Sequence, residues 1–221
     1  MEAFWYDKSM TNHENMKLPE LIAPIGLDGT GKGHLTAYLR EQGFLTFGAS
    51  EVLRRVKAEH PDLKDLHPDE AARLLKERLG STFITDTAVA EYEARKGDHT
   101  GLAIDGLRRL PEIERVKQLN GIVLHVDANQ DKRYAQLVDR GRADAPSSVD
   151  AMLARDAIQL TGDPNDKNSL NMGAIIDLAD IRVVNNFDDK FLEEAIADLQ
   201  AGRKVKVATT KAVGCSIKPK A

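Results

Sequence analysis

A glycine-rich turn between a short apolar run and an amphipathic stretch restricts the fold of this chain more than any other feature. The turn covers residues 26–33, reads GLDGTGKG and fits the pattern G-x-x-x-x-G-K; we call it the glycine loop. Glycines let a backbone adopt positive φ and wrap closely around an anion, with N–H groups pointing into one concavity at the positive end of the next helix. Lys32 adds a charge that can reach the outer phosphates of a nucleotide. The pattern therefore predicts a polyphosphate-binding loop, and the alternative is a strand-to-helix turn that holds nothing.

One position of the glycine loop departs from the usual pattern. Gly33 stands where a serine or threonine normally follows the lysine and ligates magnesium. Magnesium would then be held by water plus a carboxylate, or by Thr30 or Thr36. His34 is either a catalytic base or a surface or packing residue of the helix. The residues expected to contact the nucleotide are Gly26, Asp28, Gly29, Thr30, Gly31, Lys32, Gly33 and His34.

Short apolar runs alternate with helical patterns along the chain, as in successive βαβ units. This alternation predicts an α/β fold of three layers, a five-stranded parallel sheet with helices on both faces. Pro24 conflicts with a central strand because proline cannot donate to a sheet ladder. Ser50 is expected to cap the second helix, and Ser147 is expected to open a capping box. The predicted strands are 21–25, 44–47, 102–104, 122–126 and 181–184, and the predicted helices include 31–42, 68–80, 83–96, 111–119 and 191–199.

Composition excludes several classes of function. The 221 residues suit one domain, and 31 Lys and Arg against 35 Asp and Glu argue against a dedicated nucleic-acid binder. Cys215 is the only cysteine, so an intrachain disulfide and a zinc-bearing lid are excluded, and the six histidines show no metal-ligand spacing. No apolar run approaches the length of about 18 residues that a membrane span needs, and the first ten residues do not resemble a secretory signal. We expect a cytoplasmic protein with neither nucleic acid nor membrane as partner.

The two ends of the chain are expected to lie outside the folded body. Residues 1–20 look loosely ordered, and residues 201–221 contain six basic residues and no acid. The second segment is predicted to be a basic flexible tail, since disorder concentrates at termini. The alternative is a weak electrostatic arm for an acidic partner. The folded domain is accordingly placed at residues 21–200.

Several motifs in residues 21–200 resemble, in order, those of the nucleoside monophosphate kinase group of P-loop proteins. This group includes adenylate kinases, thymidylate kinases and dephospho-coenzyme A kinase-like proteins. Residues 31–33 (GKG) resemble the loop of adenylate kinases, and residues 26–29 (GLDG) resemble that of thymidylate kinases. Weaker similarities follow in the same order at residues 50–54, 103–109, 133–156 and 180–186.

The resemblance implies a P-loop NTPase fold that binds ATP and Mg²⁺, with an acceptor-binding helical insertion at about 48–98 and a short lid at about 139–156. Asp105 ends an apolar strand beside the glycine loop, where a carboxylate can hold the magnesium shell; its alternative role is to cap the next turn. Asn185 lies in the segment that resembles the adenine-side loop. Arginine suits phosphate because its planar fork donates two hydrogen bonds. The expected acceptor-binding residues are Arg54, Arg108 and Arg109, and the expected catalytic residues are Lys32, Asp105, Arg140, Arg142 and Arg155.

The activity implied is ATP-dependent transfer of the γ-phosphoryl group to a nucleoside monophosphate or a similar small phosphorylated acceptor. A phosphate acceptor needs no general base, whereas a hydroxyl acceptor, as in dephospho-coenzyme A, does. The Asp-x-Asp of that subfamily is missing from residues 46–51, which favours a phosphate acceptor, although Asp28 or Glu51 could take the proton. The alternatives are a nucleotide-binding regulator without turnover and a simple NTPase switch. The base and sugar of the acceptor and the oligomeric state stay open.

Overall fold

The computed structural model describes residues 20–141, 145–162, 169–186, 190–201 and 203. Five strands are present in these residues: β1 (Leu21–Ile25), β2 (Phe44–Gly48), β3 (Gly101–Asp105), β4 (Ile122–Asp127) and β5 (Ile181–Val184). They form one sheet in the order β2-β3-β1-β4-β5, and every neighbouring pair is parallel. The five-stranded parallel sheet expected from the sequence is therefore present, each strand lying within one residue of its predicted bounds.

Helices connect the strands. They are α1 (Lys32–Glu41), α2 (Ala49–Ala58), α3 (Pro68–Leu79), α4 (Phe83–Ala94), α5 (Leu110–Gln118), α6 (Gln130–Asp139), α7 (Val149–Thr161), α8 (Met172–Asp177) and α9 (Lys190–Gln200), with short 3-10 turns at Pro61–Leu63 and Lys96–Asp98. Helices α2, α3 and α4 form an insertion between β2 and β3, where the sequence predicted helices at about 48–98. The role of this insertion in binding an acceptor stays a prediction.

The sheet separates two apolar cores because side chains alternate between its faces. In the fully buried strand β1, Ala23 and Ile25 contribute to one core and Ile22 to the other. The first core contains residues of α2, α3, α4, α5 and α8, and the second contains residues of α1 and α9. Helices thus cover both faces, as continuous burial of a parallel strand requires.

Pro24 lies in the central strand, and the sheet accommodates it on one side. Strands β1 and β4 are in register from Ile22 to Ile25, with Pro24 opposite Leu124. Strands β1 and β3 are in register only at Leu21 and Ile22, so this ladder stops before the proline. The missing donor therefore coincides with the early end of the β1–β3 ladder.

Two predicted helix caps are wrong by one or two residues. Helix α2 begins at Ala49 with Gly48 as its N-cap, and the Glu51 side chain accepts a hydrogen bond from the Gly48 N–H at 3.4 Å, so Ser50 lies inside the helix. Helix α7 is capped by Ser148, whose side chain accepts from the Ala151 N–H, and not by Ser147. At α7 two neighbouring serines compete for the cap, whereas the cap of α2 lies two residues before Ser50, at a glycine whose N–H donates to Glu51.

The expectations for the two ends fall almost entirely outside the described residues, which begin at Glu20 and, beyond α9, include only Ala201 and Arg203. Within the described part of the chain, no helix combines the length and apolar character needed to cross a membrane.

Candidate functional site

The candidate site lies at the carboxyl edge of the sheet. The glycine loop follows β1, the middle strand of the sheet, and Asp105 and Asp127 end the neighbouring strands β3 and β4. Asn185 follows β5 directly. Because the strands are parallel, all these ends meet at the same edge, the place where open α/β sheets bind ligands.

Three glycines of the loop occupy positions where a side chain would not fit. Gly26, Gly29 and Gly31 have φ of 143°, 79° and 97°, a region that other residues rarely adopt. A Cβ added to Gly26 would lie 2.2 Å from the carbonyl oxygen of Val126. Added at Gly29 it would lie 2.5 Å from the carbonyl oxygen of Arg133. These close approaches show that the loop packs directly on the backbone of β4 and of α6, where only glycine fits.

The helix that follows the loop begins without a side-chain cap. Gly31 is the N-cap residue of α1, it offers no side chain that could accept a hydrogen bond, and the first turn holds no acidic residue. Among the described residues, the N–H groups of Gly29, Gly31, Lys32 and Gly33 have no protein acceptor. Free N–H groups and the positive end of a helix dipole together favour an anion.

Lys32 is buried beside these N–H groups, with a side chain that folds back onto the loop. Its Nζ donates to the carbonyl oxygen of Leu27 at 2.7 Å. Burial lowers the pKa of Lys32 to about 8, against the opposing effect of Asp105 and Asp28. Desolvation disfavours the ammonium form, and a bound phosphate would compensate for that loss.

Asp105 fits the chemistry of a magnesium site. Its Oδ1 is buried and has no hydrogen-bond partner within the described part of the chain. Burial raises the pKa of this carboxyl, although the nearby charges of Lys32, Arg108 and Arg140 act in the opposite direction. An unpartnered buried carboxylate oxygen is costly unless a ligand satisfies it, and Mg²⁺ prefers such oxygens.

The hydroxyl groups of Thr30 and Thr36 already donate one hydrogen bond each. Thr30 donates to the carbonyl oxygen of Leu27 at 3.0 Å, and Thr36 donates to that of Lys32 at 2.9 Å. Each hydroxyl can therefore still offer a lone pair to a cation, but neither has a free proton. The question of which side chain replaces the usual hydroxyl at Gly33 stays between these threonines and a carboxylate.

The expected arginines lie in two groups. Arg108, Arg140 and Arg155 line one cavity of about 190 Å³ together with Asp28 of the glycine loop. Arg54 instead donates to the Ser50 carbonyl oxygen within its own helix. Arg109, the other acceptor-binding candidate in the turn after β3, is the N-cap of α5. Arg142, a candidate of the predicted lid, lies outside the described residues.

Asp28 and Arg108 form an ion pair at the entrance of this cavity. The Arg108 Nη2 donates to the Asp28 carboxylate at 2.7 Å, and its Nη1 donates to Gln159 at 3.0 Å. Burial tends to raise the pKa of Asp28, but the charges of Arg108 and Lys32 and the hydrogen bonds to the carboxylate outweigh it and lower that pKa. Asp28 is therefore held as an anion.

The remaining two nucleotide candidates flank the loop on the opposite side from β3. The Asn185 amide is fully buried, donates to the Thr30 carbonyl oxygen at 3.1 Å and accepts from Lys132 at 2.7 Å. Asn185 therefore stabilises the loop through its hydrogen bond to the Thr30 backbone. The His34 ring lies 2.9 Å from the Glu193 carboxylate of α9, on the outer face of α1.

Sequence reasoning missed four residues that contact the loop or its partners. Arg133 of α6 donates to the carbonyl oxygen of Asp28 at 2.9 Å and forms a buried bidentate pair with Asp156 of α7. Lys132 donates a hydrogen bond to Asn185, and Gln159 accepts one from Arg108. In the sequence these are ordinary polar residues of amphipathic helices, and only the arginine-rich character of residues 133–156 pointed toward this region.

Comparisons with known proteins give relatives of modest identity. No protein-family model matches the chain. The UPF0200 protein of Sulfurisphaera tokodaii is 29% identical over 180 residues, which cover 81% of this chain and 93% of that protein. The UPF0200 protein of Pyrobaculum aerophilum is 29% identical over 178 residues, which cover 79% and 91% respectively. These names state no activity.

Solved structures show which fold the chain has. TT1252 from Thermus thermophilus matches with a TM-score of 0.53 and 20% identity, over 84% of this chain and 98% of that one. Shikimate kinase from Acinetobacter baumannii matches with a TM-score of 0.50 and 17% identity, over 89% and 99%. The predicted three-layer α/β fold is confirmed, and this chain shares it with both of these proteins.

Proposed function

We propose that this chain is an ATP-dependent phosphotransferase whose acceptor is a nucleoside monophosphate or a similar small phosphorylated molecule. The observation that carries the proposal is the convergence of complementary groups at one sheet edge. Free loop N–H groups and Lys32 suit an anion, the unpartnered Oδ1 of Asp105 suits a cation, and Arg108 and Arg140 lie close enough to influence both side chains. The P-loop kinase fold supports the same reading.

In this proposal the glycine loop and Lys32 hold the phosphates of ATP, and Asp105 holds the magnesium shell. Magnesium would neutralise negative charge on the phosphate oxygens. Burial removes water from the Lys32 ammonium, and a bound phosphate would place negative charge beside it. Catalysis by such a site consists mostly of positioning and charge stabilisation, so the chain needs to supply few reactive groups of its own.

A phosphorylated acceptor suits the charges of the cavity. Arg108, Arg140 and Arg155 line it, and lid arginines of this kind would clamp the transferring group. Its two carboxylates, Asp28 and Asp156, are each paired with an arginine. A carboxylate held as an anion by arginine is a weak general base, and an acceptor that is already an anionic phosphate does not need one. Arg54 and Arg109 complete the proposed acceptor contacts.

The proposal is tested by incubating the protein with ATP and Mg²⁺ and a panel of monophosphates, with dephospho-coenzyme A as the hydroxyl acceptor. We expect ADP to form only when a suitable acceptor is present. Lys32→Ala should abolish transfer and keep the fold. Lys117→Ala should leave transfer unchanged, because Lys117 pairs with Asp180 just before β5, at the opposite edge of the sheet from the loop. Retained turnover in Lys32→Ala contradicts the role given to Lys32.

One observation favours a second candidate, a nucleotide-binding regulator or NTPase without small-molecule acceptor. Gly33 provides no hydroxyl for magnesium directly after the lysine of the loop. The same panel separates the three cases. Binding without turnover indicates a regulator, and phosphate release without any acceptor indicates an NTPase switch.

A further inference from the structure

Two arginines donate hydrogen bonds to Asp28 of the glycine loop, one to its backbone carbonyl and one to its carboxylate. The Arg133 Nε donates to its backbone carbonyl oxygen at 2.9 Å, and the Arg108 Nη2 donates to its carboxylate at 2.7 Å. Arg133 reaches the loop from α6, and Arg108 reaches it from the turn after β3. Asp28 therefore connects the loop to two elements that are remote in sequence.

The Arg133 contact is rigid because the rest of the guanidinium is fixed. Its Nη1 and Nη2 donate to the two carboxylate oxygens of Asp156 at 2.7 and 2.9 Å. The two side chains are 5% and 7% exposed, so the pair is held in one geometry away from water. Gly29 also packs directly on the Arg133 backbone, where a Cβ would lie 2.5 Å from the carbonyl oxygen. The loop thus rests on a buried ion pair.

The Arg108 contact is fixed in the same manner by the same helix. Gln159 of α7 accepts from the Arg108 Nη1 at 3.0 Å, while the other nitrogen of the fork reaches Asp28. Asp156 and Gln159 are three residues apart on α7, so they lie on one face of that helix. Each holds one arginine, and both arginines converge on the same loop residue.

We propose that helix α7 positions the glycine loop, with Asp156 and Gln159 as positioning residues that act on Asp28 through Arg133 and Arg108. The inference rests on the proposed function, since it makes the shape of the nucleotide cradle depend on α7. Arg155 and Met152 on α7 line the cavity next to Asp28, so a molecule bound there touches the helix that sets the loop. A purely structural tie between α6 and α7 would not require either arginine to reach Asp28.

The test removes the buried pair without leaving an unpaired charge. Replacing a buried ion pair by apolar residues of similar volume usually keeps a protein folded, whereas removing one partner does not. We therefore combine Arg133→Met with Asp156→Ala, and separately make Gln159→Met, which removes the acceptor for Arg108. Ile158→Gln, at a side chain on α7 that is 73% exposed, is the matched control.

Two readouts are compared at a temperature at which every variant is folded. The first is the backbone order parameter of the loop amides, measured by NMR relaxation in the protein without nucleotide, which should fall in Arg133→Met/Asp156→Ala and in Gln159→Met. The second is ATP affinity by calorimetry, which should weaken about tenfold in the double variant and about threefold in Gln159→Met, as expected for a loss of one or less than one ordinary hydrogen bond. Ile158→Gln should resemble the wild type in both.

Unchanged order parameters of the loop and unchanged ATP affinity in folded variants would overturn the inference and leave a structural tie only. If the double variant does not fold, the comparison of Gln159→Met with Ile158→Gln decides alone. A wild-type protein that binds no ATP would refute the proposed function, whereas the relaxation measurement needs no nucleotide and still decides whether α7 positions the loop.

Discussion

Replacing Gly31 by alanine should destabilise the protein through the loop itself. Gly31 has φ 97° and ψ 8°, and placing a non-glycine residue there costs about 1–2 kcal/mol. The new Cβ would also lie 2.4 Å from the Asn185 Nδ2, whose amide is held between Thr30 and Lys132. Moving that buried amide loses about one hydrogen bond, or about 1 kcal/mol. The sum, about 2–3 kcal/mol, corresponds to a fall in Tm of about 5–12 °C for a chain of this length.

Gly33→Ala is the matched control two residues further along. An added Cβ there meets nothing within 4 Å, and Gly33 lies inside α1. Alanine in a helix is more favourable than glycine by about 0.5–1 kcal/mol, so Tm should rise by about 1–3 °C.

Both Tm values are measured on the nucleotide-free proteins by circular dichroism, with reversibility checked on cooling. A Gly31→Ala protein that melts within about 1 °C of the wild type would show that the left-handed turn and the close approach to Asn185 do not restrict residue 31. Calorimetry with ATP on the same samples should show much weaker binding by Gly31→Ala, because a shifted loop no longer presents its N–H groups together.

Three further predictions concern Lys32, Gly33 and Glu112. Because the pKa of Lys32 is lowered to about 8 in the free protein, ATP binding near pH 9 should take up close to one proton and weaken as pH rises further. Calorimetry in buffers of different ionisation enthalpy measures this uptake, and Lys32→Met should abolish it. The unfolded chain keeps the Lys32 proton to higher pH, so the free energy of unfolding of the free protein should rise as pH rises above about 8. Gly33→Ser adds a hydroxyl in open space and should lower the Mg²⁺ concentration needed for half-maximal turnover relative to Gly33→Ala, and equal requirements would count against a magnesium site beside residue 33. Glu112 is buried and accepts from the N–H groups of Ile84 and Thr85 at the start of α4, so Glu112→Ala should lower the free energy of unfolding by about 2–4 kcal/mol and Glu112→Gln by less, measured by urea denaturation. Equal losses in the two Glu112 variants would mean that these hydrogen bonds contribute little.

Much of the fold could be predicted from local patterns in the sequence. The strand bounds follow from short apolar runs. The glycine loop follows from the pattern G-x-x-x-x-G-K, which spans residues 26–32. The cap at Asn129 is also local, since its side chain accepts from Lys132 three residues later. Where two polar neighbours compete, as at Ser147 and Ser148, local pattern alone was insufficient. These features depend on contacts within a few residues, which the order of residues already contains.

The partners of Asp28 were decided by the tertiary structure. Arg108 is 80 residues away from Asp28, and Arg133 is 105 residues away. Nothing near either arginine indicates that both converge on one loop residue, because their meeting depends on the strand order β2-β3-β1-β4-β5 and on the packing of α7. The sequence by itself determined the glycine-rich turn after β1 and the start of α1, since glycine conformation and helix start are local. Which side chains surround that turn depended on how distant helices bury their apolar faces, and that is a property of the whole fold.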